Sequence, residues 1–426
     1  MSRSPWTLAW RRRAITLLLG SMLPMTVAAS PVLHGLLERP VVQPGERYGA
    51  ALVADEVTVL IAAPGRDLAV PGLPTTDAGA IEVFVGNSQG WSHLQTLLSP
   101  VPQTGRALGT AIALTGNLAA AASLYRFDLF ERSGPGLAFA HVVSESFTPL
   151  GGIRPFASVA IAGDWLAFAY GSSTGAGRVR VYRRIAGIWQ IQAVLFAEAP
   201  AGNDEFGIAL AISGDHLLVG APREDRPGVA NAGVVYVFQL GAGLPALIQR
   251  FAGFVTQAQA QFGQAIAIHG DQVVVGAPRE DLTVAAPDAG AAYLYTRQPE
   301  GIWLFQQRFV APDFRTEAFY GTAVAIHGES VAIGAPGHDV PVGPMLYPRA
   351  GRTYAYRRNG GSWWLDGALT LPPADLDVDD GFGSAVALGK DWLLVGAEAD
   401  EAGGVIDAGQ GRAYVRPIFR DGFDLL

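Results

Sequence analysis

The chain has 426 residues, 50% of them hydrophobic and 16% charged, with a formal net charge of −8. That balance excludes intrinsic disorder, and the 53 glycines and 28 prolines are scattered without the strict period of collagen. Cysteine is absent, which excludes disulfide frameworks, thiolate zinc sites, iron–sulfur clusters and thiol nucleophiles, while the acidity argues against nucleic acid as a partner.

Residues 1–29 read as a removable leader. Arg11-Arg12-Arg13 forms a positive segment, Ala14 to Val27 a short apolar run, and Val27-Ala28-Ala29 a small-residue cleavage site, the layout of a secretory signal peptide. No later stretch reaches the roughly 20 apolar residues of a spanning helix. The expectation is an exported protein without a transmembrane segment, in the periplasm, on the cell surface or outside the cell.

The remaining chain repeats itself. Tyr48-Gly49 and Leu108-Gly109 open the first two copies, Pro155-Phe156 fills the same slot in the third, and Phe206-Gly207, Phe262-Gly263, Tyr320-Gly321 and Phe382-Gly383 open the rest. Thirteen residues after the slot stand Ala62, Ala122, Gly220, Gly276, Gly334 and Gly396 in six of the copies, and three of these begin Gly-Ala-Pro. Seven copies spaced by about 50 residues fall in the range of propeller blades and outside that of helical solenoids.

Each copy carries four strand signals in order. Ala209 to Ile212 and Leu217 to Ala221 are apolar runs joined by Ser213-Gly214-Asp215-His216, a tight-hairpin signal. A long polar loop follows, then the β-branched and aromatic run Gly233 to Phe238, and a fourth strand that begins near a tryptophan (Trp91, Trp189, Trp303, Trp363). The alanine-rich first strand suits a crowded central axis, and the aromatic strands suit the wide periphery of a tapering blade. The last copy has its third strand at Arg412 to Val415 and little chain beyond it, so Val32 to Leu37 is expected to supply the fourth strand and close the ring. The fold class is therefore all-β, a seven-bladed β-propeller of four-stranded antiparallel blades over residues 31–417, with a short tail at 418–426.

Phe-Gly followed by Gly-Ala-Pro resembles the FG-GAP repeat of the integrin alpha-subunit head and of secreted bacterial proteins, and the compact Gly-Asp hairpin here resembles the bacterial form. The resemblance implies a propeller used for binding or adhesion, and it implies no catalytic activity. Integrin-type calcium loops stand between the two motifs, where this chain has only its short hairpin.

Four sets of residues are weighed for chemistry. Asp375, Asp377, Asp379 and Asp380 precede the last Phe-Gly, and carboxylates at such spacing can converge on calcium or can form a solvated acidic loop. Asp67, Asp225, Asp281, Asp339 and Glu401 recur five residues after the second-motif position, either as loop-face binding residues or, with greater weight, as turn caps. His216, His269 and His327 fall at hairpin turns of separate copies and are expected to stand too far apart to share an ion. Gly171-Ser172-Ser173-Thr174-Gly175 matches a nucleophile elbow in letters, but a strand signal follows it where an elbow needs a helix. The expected function is a monomeric, non-catalytic binding module for a protein or glycan ligand, with a polysaccharide lyase or hydrolase as the alternative.

Overall fold

A computed structural model of the chain describes residues 32–70, 73–87, 90–147, 155–172, 175–401 and 405–415. The leader, the Ser173-Thr174 pair and the Asp421-Gly422-Phe423-Asp424 tail lie outside the described residues.

Seven four-stranded antiparallel sheets follow one another around a ring. The pattern is clearest in blade 4, built from Leu210–Ser213, His216–Ala221, Val234–Gln239 and Ala246–Phe251 from the axis outward. The strands differ in composition because their surroundings differ. The second strand is buried along its whole length and after His216 reads as an unbroken apolar run, because neighbouring blades cover both of its faces. The outermost strand alternates exposed and half-buried positions and ends on the buried Phe251, as suits a sheet edge facing solvent. Apolar packing is correspondingly divided into wedges shared by successive blades. One joins Ala169 and Val181 of blade 3 to Val219 and Tyr236 of blade 4, and another joins Phe84 and Ile61 of blade 1 to Leu394 and Ala413 of blade 7.

The repeated motifs form the seams between blades. The residue before each slot glycine (Tyr48, Phe206, Phe262, Tyr320, Phe382) is fully buried, and the glycine itself has φ near +96°. A Cβ on Gly276 would lie 1.9 Å from the carbonyl oxygen of Gly321, and one on Gly334 would lie 1.9 Å from that of Gly383. The second-motif glycine of one blade thus abuts the first-motif glycine of the next, backbone on backbone. In the first copies the match to the motif weakens because Ala62 and Ala169 stand at the seam, and there the opposing Gly109 and Gly207 supply the missing volume.

Closure follows the expected route. Val32–Leu36 pairs antiparallel with Gln410–Val415, placing Val32 opposite Val415 and completing blade 7 with Trp392–Ala397 and Phe382–Leu388. Gly396 meets Gly49 at the closing seam, where an added Cβ would be 2.1 Å from the Gly49 carbonyl oxygen, just as at the internal seams. Arg39, three residues beyond the closing strand, donates to the Ala408 carbonyl at 3.0 Å and pins the chain to blade 7. No described helix is long and apolar enough to cross a membrane.

Candidate functional site

The second-to-third loops and the blade connections emerge on the same face. Gln43, in the connection before blade 1, accepts from the Asp67 amide at 2.8 Å, and Gln257 repeats the contact with Asp281 at 2.7 Å in blade 5. The recurring acids sit within these loops. Asp67, Asp225, Asp281 and Asp339 each accept through Oδ1 from the backbone N–H of Asp77, Asn231, Asp288 and Arg349, at 2.9, 2.8, 2.9 and 3.0 Å. Those four donors have φ between +48° and +51°, a conformation that Asp and Asn tolerate better than most residues. Each acid therefore closes its loop around a left-handed residue. Glu401, the fifth member, is exposed and lines a different feature described below.

One residue earlier lies a set that the sequence reading did not single out: Arg66, Glu224, Glu280, His338 and Asp400. Their backbone carbonyls accept from Gly79, Gly233, Gly290, Gly351 and Gly409, which draws each side chain inward. Arg66 is buried between Glu46, at 2.6 Å, and Glu82. Glu280 is held by the Tyr293 hydroxyl and Arg308, and burial raises its carboxyl above the ordinary value. Glu224 accepts from the Tyr236 hydroxyl at 2.6 Å. His338 is fully buried against Asp313, and burial lowers its pKa. A titratable residue in one register of five copies was the available signal. Beside a conspicuous Asp it passes for more solvated charge.

The acidic run before the last Phe-Gly does not converge as a group. Asp379 turns outward to an exposed ion pair with Arg349 at 2.9 Å, and Asp375 pairs with the buried Arg412 at 2.6 Å. Asp380 turns inward and accepts from the Asp377 amide at 2.6 Å. Asp375, Asp377 and Asp380 line a cavity of about 360 Å3 together with Asp400, Glu401 and Gln410. Burial first, and then neighbouring carboxylates, push Asp380 up to about 6; burial and then Asp380 push Asp400 up to about 7. Among the described residues no three His, Asp or Glu side chains are grouped so as to hold a metal ion.

The histidine expectation needs correction. His269 and His327 belong to adjacent blades, yet their rings pack edge-on with centroids 4.7 Å apart. Both occupy the last position of an innermost strand, where blades are closest. His216 is separate: its Nδ1 lies 2.8 Å from Asp215, its ring stands edge-on to Trp303, and burial lowers its pKa. First strands of all seven blades also enclose an axial cavity of about 310 Å3, lined largely by small and aliphatic residues such as Ala51, Ala111, Ala209, Ala265 and Ala323. The Ser172 and Gly175 ends of the elbow-like run terminate and open β-strands.

A family profile described as the FG-GAP repeat matches four times, at residues 189–238, 255–295, 303–355 and 369–416. A search of curated proteins gave no match. Among solved structures, the crystal structure of Saccharomyces cerevisiae Sqt1 is similar over 84% of this chain and 82% of that one, at 10% identity and a TM-score of 0.46.

Proposed function

The chain belongs to the FG-GAP repeat proteins, and we propose that it is an exported, non-catalytic binding module that holds a protein or glycan on the loop face, over blades 6, 7 and 1. The observation that carries this reading is where the ring departs from its own repetition. Among the described residues two second-to-third loops contain hairpins of their own: Leu68–Val70 with Leu73–Thr75 in blade 1, and Val340–Val342 with Met345–Tyr347 in blade 6. These blades flank blade 7, whose loops form the acidic cavity. Met345 and Leu346 at the tip of one hairpin are more than half exposed. A rigid ring that presents unlike loops in one sector is suited to recognition, because binding residues concentrate on loops positioned by a stiff scaffold. The repeated loop acids are engaged in holding turns, which favours binding over catalysis.

The test is capture by the purified protein on glycan arrays and from envelope extracts, beside a variant with 341–346 replaced by a Gly-Gly turn. Binding that the variant loses at unchanged melting temperature supports the reading. Turnover of a polysaccharide, abolished by a single substitution, would replace it with an enzyme.

A further inference from the structure

The acidic cavity of blade 7 supports an inference that goes beyond the loop-face reading and stands independently of it. Asp400 is 2% exposed; its Oδ1 accepts from Gln410 Nε2, and its Oδ2 has no hydrogen-bond partner. A buried carboxylate oxygen without a donor is unfavourable, so this atom calls for an N–H or O–H from outside the chain. Arg412, the cation beside the cavity, directs its Nη2 to Asp375 and, at 2.8 Å, to Gln410 Oε1, and its Nε, though without a partner, makes no hydrogen bond to Asp400. Asp377, Asp380 and Glu401 add three more carboxyl groups to the walls, while Ala374 and Leu376 supply apolar surface.

Shape decides what kind of cation fits. A hard metal ion requires several oxygens gathered at about 2.3–2.6 Å around one point, and the described carboxylates do not gather so. They are instead spread through a volume of about 360 Å3, which is small-molecule size. Separated carboxylates over an apolar surface complement separated ammonium groups joined by methylenes. Each ammonium offers three donors, and the hydrocarbon between them can lie on Leu376. We propose that this cavity binds an aliphatic di- or polyamine, with one ammonium donating to Asp400 Oδ2 and Asp380 and another to Asp377 or Glu401.

Isothermal titration of the mature protein at low ionic strength tests this, using putrescine and spermidine as probes, n-butylamine as the single-charge control, and calcium chloride and a capped lysine peptide as rivals. Putrescine should bind one site at least about tenfold more tightly than butylamine, and Asp400→Asn should weaken it by about tenfold or more. The melting temperature of Asp400→Asn without amine should equal or exceed the parent's, which separates lost binding from misfolding. Putrescine no tighter than butylamine, or undiminished in Asp400→Asn, would overturn the proposal. Calcium saturating the same carboxylates at lower concentration would make this a metal site, and a lysine peptide outcompeting spermidine would make it a protein contact; either result also overturns it. The loop-face reading is scored separately with the 341–346 variant, which leaves the cavity residues intact: it should keep putrescine binding whether or not it loses glycan or protein capture.

Discussion

Substituting one seam glycine, Gly334→Ala, isolates the contribution of the repeated motif. The new Cβ would lie 1.9 Å from the Gly383 carbonyl oxygen, 2.9 Å from its carbonyl carbon and 3.2 Å from its Cα. Ordinary van der Waals contact begins near about 3.5 Å, so blades 6 and 7 must part by more than an ångström at a point where both surfaces are backbone. No rotamer change can relieve that overlap. Overpacking of this kind costs about 1–3 kcal/mol, and a backbone-on-backbone clash belongs at the upper end. With an unfolding entropy of about 2.1 cal/mol/K per residue, a chain of this length that melts as one unit loses only about 1 °C per kcal/mol. The expected shift is therefore about 3 °C. Calorimetry resolves that, and urea unfolding gives the free energy directly. Gly241→Ala is the control: its Cβ meets nothing within 4 Å and its φ is not positive, so it should stay within about 0.5 kcal/mol of the parent. Equal stability of the two variants would refute the view that the seams need glycine for space.

Three further outcomes follow from the same structure. Removing Val32–Leu36 leaves blade 7 with three strands and an open edge, so light scattering should detect association and melting should occur well below the parent; an unchanged monomer with an unchanged transition would contradict closure by that strand. Arg66→Ala leaves Glu46 and Glu82 buried without their shared guanidinium and should cost about 3–5 kcal/mol in urea unfolding, so a loss under about 1 kcal/mol would count against the network. Asp380 and Asp400 bind protons more tightly folded than unfolded, since their values of about 6 and about 7 stand above 3.8. Their contribution to stability is therefore present at low pH and lost as pH rises from about 4 to 7. Asp400→Asn should melt like the parent at pH 4 and above it at pH 8, and a difference constant across that range would refute the assignment.

The ring was legible because its determinants are local and repeated. An aromatic, a glycine and a second glycine thirteen residues on recur wherever two backbones must touch, so Phe262-Gly263 and Gly276 announce a seam without any knowledge of partners. Closure was legible from the missing fourth strand of the last copy. The candidate site was less so, because it depends on direction rather than spacing. Asp379 and Asp380 are neighbours, yet φ of +69° at Asp379 sends one side chain to Arg349 and the other into the cavity. Asp400 joins them from the next loop, a meeting that linear order conceals. The histidines failed for a geometric reason: residues in equivalent registers of adjacent blades approach one another near the axis, however far apart they lie in the chain.

The pairing of Val32 with Val415 also constrains the order of folding. Within blades 1 to 6 each sheet forms from strands close in sequence, so those contacts carry a small loop-closure cost and can assemble as the chain emerges. The opening strand has no local partner. It must wait, unpaired, until the last copy has been synthesised, and its docking joins the two ends of the described chain in the slowest class of contact. Blade 7 is thus the latest part of the ring to be protected. Amide exchange pulsed during refolding should label Trp392–Ala397 and Gln410–Val415 after the corresponding strands of blade 5 have already become inaccessible.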